Sequence, residues 1–378
     1  MRSNKEHIMR IFKCVIANIL LFGVFVSFLA CQNPNTGLVE TDGENQIATQ
    51  DNTEKTDTPT ENNSMNAAKK PIDIYIIAGQ SNAAGYTRID PTVLGTLWDK
   101  YNVGVENVIY AGRAQSTANV NTPQVSTIAN EIQWQPVRAG FGKTTDHMGV
   151  EVGMAKALSE EYYTGSRTAG IIKLAHGGTS LLNTTTGENA ATGNWVSPSY
   201  AESKGLSYSG ITGGLYRALL DQVTKNVAEL KEQGYDSINI KGVFWMQGES
   251  DRTAYPTVYE KALTCFINDI RRDLGKITNE DLSSLPFMIG EISRTCSGAN
   301  SGNVTINEMF IEMQRGIAEK IDNVYIIPSG QFEIVTWDAT LEENVLDPYQ
   351  NDTVHWNTED IFRIGELIGK CIIYIQTK

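Results

Sequence analysis

The feature that most constrains the fold is an alternation of short apolar segments with longer amphipathic ones, which begins at Pro71. The short segments are nearly continuous in apolar residues, as strands buried on both faces are. They are IDIYIIAG, NVIYAG, AGIIKLAHG, INIKGVFWMQG, LPFMIGEIS and NVYIIPSG. The alternation predicts an α/β domain in which a mainly parallel central sheet is covered by helices on both faces.

The amphipathic segments predict the helices that connect these strands. They are VEVGMAKALSEEYY, LYRALLDQVTKNVAELKEQG, YEKALTCFINDIRRDLG, NEMFIEMQRGIAEKI and, after the last strand, TEDIFRIGELIGKCIIYI. In the second segment Leu219, Val223 and Val227 recur at helical spacing. We expect that face to pack on the sheet and to carry no chemistry.

The N-terminal region has the composition of an export signal. Basic residues precede an apolar run that ends in FLAC, which resembles the lipobox of bacterial lipoproteins. Phe28 stands where such boxes usually have Leu. We predict residues 1–30 as a lipoprotein signal peptide and Cys31 as the lipid anchor. An unlipidated secreted or signal-anchored protein is the alternative.

The next region, residues 31–70, is rich in Asn, Thr, Asp and Glu and has few apolar residues. It cannot bury enough surface to order itself, so we predict a disordered tether that follows the anchor. The remaining residues, 71–378, are predicted to form one domain. The anchor predicts attachment to the bacterial cell envelope, at the outer membrane, because Gln32 rather than Asp follows Cys31.

Composition excludes several other classes. A net charge of -13 argues against a nucleic-acid binder. Outside the signal and anchor the cysteines are Cys265, Cys296 and Cys371, whose spacing fits neither a disulfide framework nor a zinc site. We expect core thiols with at most one bridge. No metal or other cofactor is predicted, and the sequence does not indicate an oligomeric state.

Four polar loops follow predicted strands or precede the last helix. They are GQSN, AHGGTS, WMQGESD and DTVH. In a parallel sheet such loops meet at the carboxyl edge, where ligands bind. Ser81 in the first loop becomes a nucleophile only beside a base, which a third group must orient. His355 has Asp352 three residues before it, whereas Asp146 is expected to point away from its neighbour His147.

These blocks carry a resemblance to a known family. GQSN, KLAHGGTSL, GVFWMQGESD and the late Asp352-x-x-His355 occur in order and are together similar to the SGNH hydrolase superfamily. They most resemble its branch of carbohydrate esterase family 6 and sialate O-acetylesterases. The resemblance implies a three-layer αβα, flavodoxin-like domain over residues 71–378 that hydrolyses acetyl esters on sugars. It also implies Ser81 as nucleophile, His355 as general base and Asp352 as the orienting acid.

An acyl-transfer site also needs donors that stabilise an oxyanion. The candidates are the backbone N–H groups of Ser81 and Gly178 and the side-chain amide of Gln247. The superfamily usually has Asn in this third block, which leaves Ser250 as an alternative to Gln247. Supporting roles are predicted for Asn82 and for Glu249; Glu249 is also an alternative to Asp352 as the triad acid.

Two functions stay open at this point. One is a tethered carbohydrate O-acetylesterase acting on acetylated xylan, sialic acid or a related glycan. The other is a catalytically silent sugar-binding lipoprotein with the same fold. Trp195 and Trp245 are candidates for a wall that stacks on a sugar, with ordinary core positions as the alternative. Arg88 and His176 are candidates for bonding sugar hydroxyls.

Overall fold

The computed structural model describes residues 70–113, 132–298, 300–329, 333–334, 337–338, 342–343 and 353–378. The strands in this part of the chain are β1 (Pro71–Gly79), β2 (Thr87–Arg88), β3 (Val105–Arg113), β4 (Ile132–Val137), β5 (His147–Met148), β6 (Ala169–Ala175), β7 (Ser237–Met246), β8 (Phe287–Gly290), β9 (Val324–Ile327), β10 (Glu333–Ile334) and β11 (Glu342–Glu343). The helices are α1 (Ser81–Ala84), α2 (Pro91–Leu94), α3 (Thr96–Val103), α4 (Glu151–Glu161), α5 (Asn189–Thr192), α6 (Pro198–Ser203), α7 (Gly214–Glu232), α8 (Pro256–Thr278), α9 (Ser301–Lys320) and α10 (Thr358–Thr377).

Within these residues, seven strands form one sheet in the order β4-β3-β6-β1-β7-β8-β9. All neighbouring strands are parallel except β3 and β4, which are antiparallel. The six strands predicted from apolar segments are β1, β3, β6, β7, β8 and β9, so the parallel sheet is confirmed. The sequence did not indicate β4, whose IQWQPV alternates apolar and polar residues and contains Pro136. Proline is tolerated at a sheet edge, where β4 lies.

Helices cover both faces of the sheet. Alternate residues of β1 point to opposite sides, because side chains alternate along a strand. Ile74 and Ile76 join a core with Leu219 of α7 and with α8 and α9. Tyr75 and Ile77 join a second core with α4 and α10. The result is the three-layer αβα arrangement that the sequence predicted.

Two tryptophans and three cysteines lie within these layers. Trp195 and Trp245 are both fully buried and contact each other edge to face, with ring centroids 5.2 Å apart. They are core residues and not a substrate wall. Cys265, Cys296 and Cys371 are free thiols. In the part of the chain that the structure describes, no helix is long and apolar enough to cross a lipid bilayer.

Candidate active site

The turn after β1 places Ser81 at the carboxyl edge of the sheet. Gly79 has a φ of 138°, and a Cβ there would lie 2.0 Å from the Met246 carbonyl oxygen, so only glycine fits. The Gln80 N–H donates to this same oxygen at 2.9 Å, and the His176 N–H donates to the Gly79 carbonyl at 3.1 Å. These bonds join the ends of β7 and β6 to the turn. Ser81 therefore begins α1 where three strands end.

A cavity of about 530 Å³ opens at this edge. Residues from six separate chain segments line it, among them both members of the predicted nucleophile and base pair. The lining residues are Gln80, Ser81, Tyr86, Lys143, Gly177, Gly178, Glu188, Glu249, Ser250, Ser297, Val354 and His355. The structure thus brings together Ser81, Gly178, Glu249 and His355. Asp352 and Cys31 lie outside the described residues, and their roles stay predictions.

Aromatic packing holds His355 beside the pocket. Its ring stacks on Tyr86, with centroids 4.9 Å apart. The Lys143 Nζ lies 4.5 Å from the centre of the Tyr86 ring. The Tyr86 hydroxyl in turn packs so closely on Gly177 that a Cβ there would lie 2.4 Å from it. Tyr86 was not a candidate from the sequence. It contacts both the predicted base and the loop AHGGTS, which we call the glycine loop.

Asn82 connects the Ser81 turn to two other pocket segments. Its Nδ2 donates to Glu249 Oε1 at 2.7 Å and to the Val354 carbonyl at 3.1 Å. Gln80, on the other side of Ser81, accepts from the Ser250 N–H at 3.2 Å. The predicted supporting positions of Asn82 and Glu249 are thus in direct contact with each other. They tie the nucleophile turn to the loop after β7 and to the segment that carries His355.

Glu249 is an acid whose carboxyl group is withdrawn from solvent. Burial raises the pKa of Glu249 above its usual value, and hydrogen bonds from its own backbone and from Asn82, together with nearby His355, offset part of that increase. Glu249 Oε2 is buried and has no hydrogen-bond partner among the described residues. Glu249 is also one of the residues that line the pocket.

Gln247 does not line the pocket. Its Nε2 donates to the Thr179 carbonyl at 3.1 Å and to Asp251 Oδ2 at 2.8 Å, so both amide hydrogens are used. Its Oε1 accepts from the Tyr259 hydroxyl at 2.6 Å. This geometry departs from the predicted oxyanion donor, because a side chain with both hydrogens committed within the core has none to offer a substrate. Ser250, the alternative, lines the pocket.

Asp251 clamps the glycine loop to the end of β7. It accepts from the Ser180 hydroxyl, from the Leu181 N–H at 2.7 Å and from Gln247. Burial raises the pKa of Asp251, and these donors oppose that effect. Gln247 and Asp251 together hold the loop that presents Gly178. The spacing of Gln247 and Asp251 by four residues in WMQGESD is the sequence signal that could have indicated a shared role.

A fully buried ion pair contacts the last residue of α1. Lys173 Nζ donates to Glu151 Oε2 at 2.9 Å, to the Ala84 carbonyl at 3.1 Å and to the Phe141 carbonyl at 3.0 Å. Both side chains have 0% exposure. Burial lowers the pKa of Lys173, while Glu151 opposes that shift. A lone lysine within the apolar strand AGIIKLA was the available signal, because lysine is almost never fully buried without a partner.

The other candidate polar residues lie around or away from the pocket. His176 Nε2 is 3.2 Å from Glu188 Oε2, beside the lining residues. His147 Nδ1 lies 2.8 Å from Asp146 Oδ1, so the expectation that Asp146 points away was wrong. Neither residue of this second pair lines the pocket. Arg88 is exposed, and its Nη1 lies 3.9 Å from Asp146 Oδ2. Among the described residues, no group of three or more His, Cys, Asp or Glu is arranged to hold a metal ion.

The chain is similar in sequence to one family and in fold to solved structures. Residues 71–373 match the model of a family described as carbohydrate esterase, sialic acid-specific acetylesterase. The structure of NanS has a TM-score of 0.50 and 14% identity, over 82% of this chain and 98% of that one. A carbohydrate acetylesterase from Xanthomonas citri has a TM-score of 0.51 and 15% identity, over 81% of this chain and 57% of that one. At these identities the two structures show a shared fold. No curated protein matches the sequence.

Proposed function

The chain belongs to the carbohydrate esterase family of sialic acid-specific acetylesterases, and from this premise we propose that it is a serine esterase that removes O-acetyl groups from carbohydrates. The proposed substrates are acetylated xylan, sialic acid or a related glycan. One observation carries the proposal: Ser81 and His355, far apart in sequence, line a single pocket at the carboxyl edge of the sheet. A silent sugar binder has no need of this pair.

In the proposed reaction, Ser81 Oγ attacks the acetyl carbonyl carbon while His355 accepts the hydroxyl proton. The carbonyl oxygen becomes an oxyanion. When the ester bond breaks, His355 returns the proton to the departing sugar oxygen, and the acetyl group stays on Ser81. A water molecule, deprotonated by His355, then attacks the acetyl-enzyme and releases acetate. The proton returns to Ser81.

We propose the backbone N–H groups of Ser81 and Gly178 as oxyanion donors, with the side-chain hydroxyl of Ser250 as the third candidate. Support comes from the pocket, which these three residues line. For Gln247 we propose a positioning role, since its amide holds Thr179 and Asp251. Loss of one true donor typically costs about 3–4 kcal/mol of transition-state stabilisation. Kinetics of Ser250→Ala therefore test this assignment, with kcat falling about 10²-fold or more if Ser250 donates.

We propose Asp352 as the acid that orients His355, and Glu249 as the alternative. Glu249 has support from its place in the pocket and from the effect of His355 on its pKa. The two are distinguished by comparing Asp352→Asn with Glu249→Gln in the same assay. The orienting acid is the one whose amide variant loses about 10⁴-fold in kcat. The other variant should lose far less.

The experiment that tests the proposed function is acetate release by the full chain from O-acetylated N-acetylneuraminic acid, acetylated xylan and p-nitrophenyl acetate. We expect turnover that Ser81→Ala lowers by about 10⁴-fold or more. Ser283→Ala, a change at an exposed serine away from the pocket, is the matched control and should leave turnover unchanged. Sugar binding without acetate release would favour the silent binder instead.

A pH profile tests the base. If His355 accepts the Ser81 proton, activity falls as the pH is lowered, because a protonated imidazole cannot act as a base. The profile is measured as kcat/KM between about pH 5 and 8, the range in which histidine changes charge. A flat profile across this range would count against His355 as the base.

A further inference from the structure

A second cleft lies next to the catalytic pocket, between the loop that follows β7 and the helix α9. Its volume is about 190 Å³, and its walls include Arg252, Tyr255, Pro256, Ile306, Met309 and Phe310. We refer to it as the Tyr255 cleft. Catalysis as proposed above uses none of these residues.

The rim of the Tyr255 cleft is apolar and open to solvent. Five large hydrophobic side chains are exposed in the described part of the chain, and three of them, Tyr255, Ile306 and Met309, line this cleft. Tyr255 has 81% of its surface exposed and Met309 has 53%. Single exposed apolar residues are ordinary, but a cluster around a concavity is typical of a binding site.

Contacts on both walls connect the cleft to the catalytic pocket. Arg252 Nη2 donates to Asn303 Oδ1 at 3.5 Å, and Asn303 Nδ2 donates to the Ser297 carbonyl at 2.7 Å. Ser297 lines the catalytic pocket, and so does Ser250, two residues before Arg252. At the base of the cleft, Phe310 packs so closely on Gly248 that a Cβ there would lie 2.5 Å from its ring. The two concavities are therefore neighbours.

We propose that the Tyr255 cleft binds a second sugar unit of the glycan whose acetyl ester occupies the catalytic pocket. An open aromatic ring offers a flat apolar surface for the C–H face of a sugar, and the guanidinium of Arg252 offers donors to its hydroxyl groups. A cleft of this size accommodates a small ring, whereas a stable protein interface buries about 800 Å² on each partner. The substrate is then an acetylated oligosaccharide or polysaccharide rather than a free sugar. This inference rests on the proposed function.

The test uses the full chain and two pairs of probes. One pair is O-acetylated xylose and O-acetylated xylohexaose; the other is O-acetylated N-acetylneuraminic acid and O-acetylated sialyllactose. We expect the wild type to prefer the longer member of the pair that it accepts. Tyr255→Ala should lower kcat/KM for that member by roughly tenfold, mainly through KM, because it removes ground-state binding. Tyr255→Phe keeps the ring and should stay near wild type.

Three controls make the result interpretable. Tyr255→Ala should leave p-nitrophenyl acetate hydrolysis unchanged, and it should fold, because Tyr255 is exposed and its side chain makes no cap hydrogen bond to α8. Val103→Ala removes a side chain that is 76% exposed. Val103 lies before the amino end of β3, whereas the Tyr255 cleft follows the carboxyl end of the parallel strand β7, so this variant should change nothing. Thermal unfolding of each variant checks its integrity.

Two outcomes would overturn the subsite. One is equal kcat/KM for the short and long members of the accepted pair; the other is a Tyr255→Ala effect that is the same for both members. If p-nitrophenyl acetate is hydrolysed but neither sugar pair is, the carbohydrate part of the proposed function fails and the subsite fails with it. If nothing is hydrolysed while titration of Ser81→Ala with the longer probes shows binding that adding Tyr255→Ala weakens roughly tenfold, the subsite stands and the esterase proposal fails.

Discussion

At the scale of single residues, the nucleophile is held by its two sequence neighbours. Gln80 accepts the Ser250 N–H, and Asn82 donates to Glu249 and to the Val354 carbonyl. Ser81 therefore lies between two side chains that each bind another wall of the pocket. The three polar residues of GQSN therefore have different roles. Gln80 and Asn82 hold the turn, and Ser81 is the residue proposed to react with substrate.

Glu249 supports a stability prediction at this scale. Its pKa in the folded protein is raised above 4.5 by burial, so the folded state binds this proton more tightly than the unfolded state does. Stability is consequently lost as the pH rises from about the unfolded value through the folded one. Glu249→Gln should therefore raise the melting temperature at pH 7 and have a smaller effect at about pH 4. Thermal unfolding of both proteins at the two pH values checks this, and a lower melting temperature of the variant at pH 7 would contradict it.

At the scale of elements, the turn from β1 into α1 depends on one glycine. Gly79→Ala places a Cβ 2.0 Å from the Met246 carbonyl oxygen and forces a left-handed backbone on alanine. We expect it to lower the free energy of unfolding by about 1–3 kcal/mol or more, and to lower kcat because Ser81 moves. Gly316→Ala is the matched control. It lies within α9 with no atom within 4 Å of the new Cβ, and should stabilise by about 0.5–1 kcal/mol.

Denaturant unfolding and steady-state kinetics of both glycine variants provide the measurement. If Gly79→Ala unfolds at the same denaturant concentration as the wild type, the turn is less constrained than the structure indicates.

The ion pair between β6 and α4 gives a second prediction for elements. Lys173→Met leaves the Glu151 carboxylate buried without its cation, together with two carbonyls that lose a donor. Breaking such a pair typically costs about 3–5 kcal/mol. As a control, Lys225→Met breaks a partly exposed pair with Asp221 on α7 and should cost about 0.5 kcal/mol or less. Comparable losses for the two variants, measured by denaturant unfolding, would show that the buried pair contributes no more than a surface one.

At the scale of the whole molecule, the sheet and its carboxyl edge could be predicted. They depend on the alternation of apolar and amphipathic segments along the chain and on the polar loops that follow the apolar segments. The six apolar segments became strands, and Ser81 and His355 reached one pocket. What could not be predicted depends on long-range pairing. The amide of Gln247 looks equally suited to substrate or to loop until Thr179 and Asp251 are placed around it. For the same reason, the sequence left open whether Trp195 stacks on a sugar or lies in the core, and the structure buries it.

The N-terminal prediction also belongs to the whole molecule. If Cys31 carries lipid, the full chain expressed in bacteria should fractionate with membranes and incorporate labelled palmitate. Cys31→Ser should abolish the label and release the protein from the membrane fraction, because the variant lacks the residue that would carry the acyl chains. Hydrolysis of p-nitrophenyl acetate should be the same in both, since the pocket lies in residues 80–355. Unlabelled wild-type protein would support the unlipidated alternative.

The central claim is that Ser81 forms the acetyl-enzyme in the pocket that it shares with His355. The most direct measurement is acid quenching of the full chain during turnover of an O-acetylated sugar, followed by peptide mass spectrometry. We predict one added acetyl group on the peptide that contains Ser81, absent in Ser81→Ala, whose turnover is also lost. Continued acetate release by Ser81→Ala, or an acetyl group on a different residue that depends on turnover, would contradict the claim.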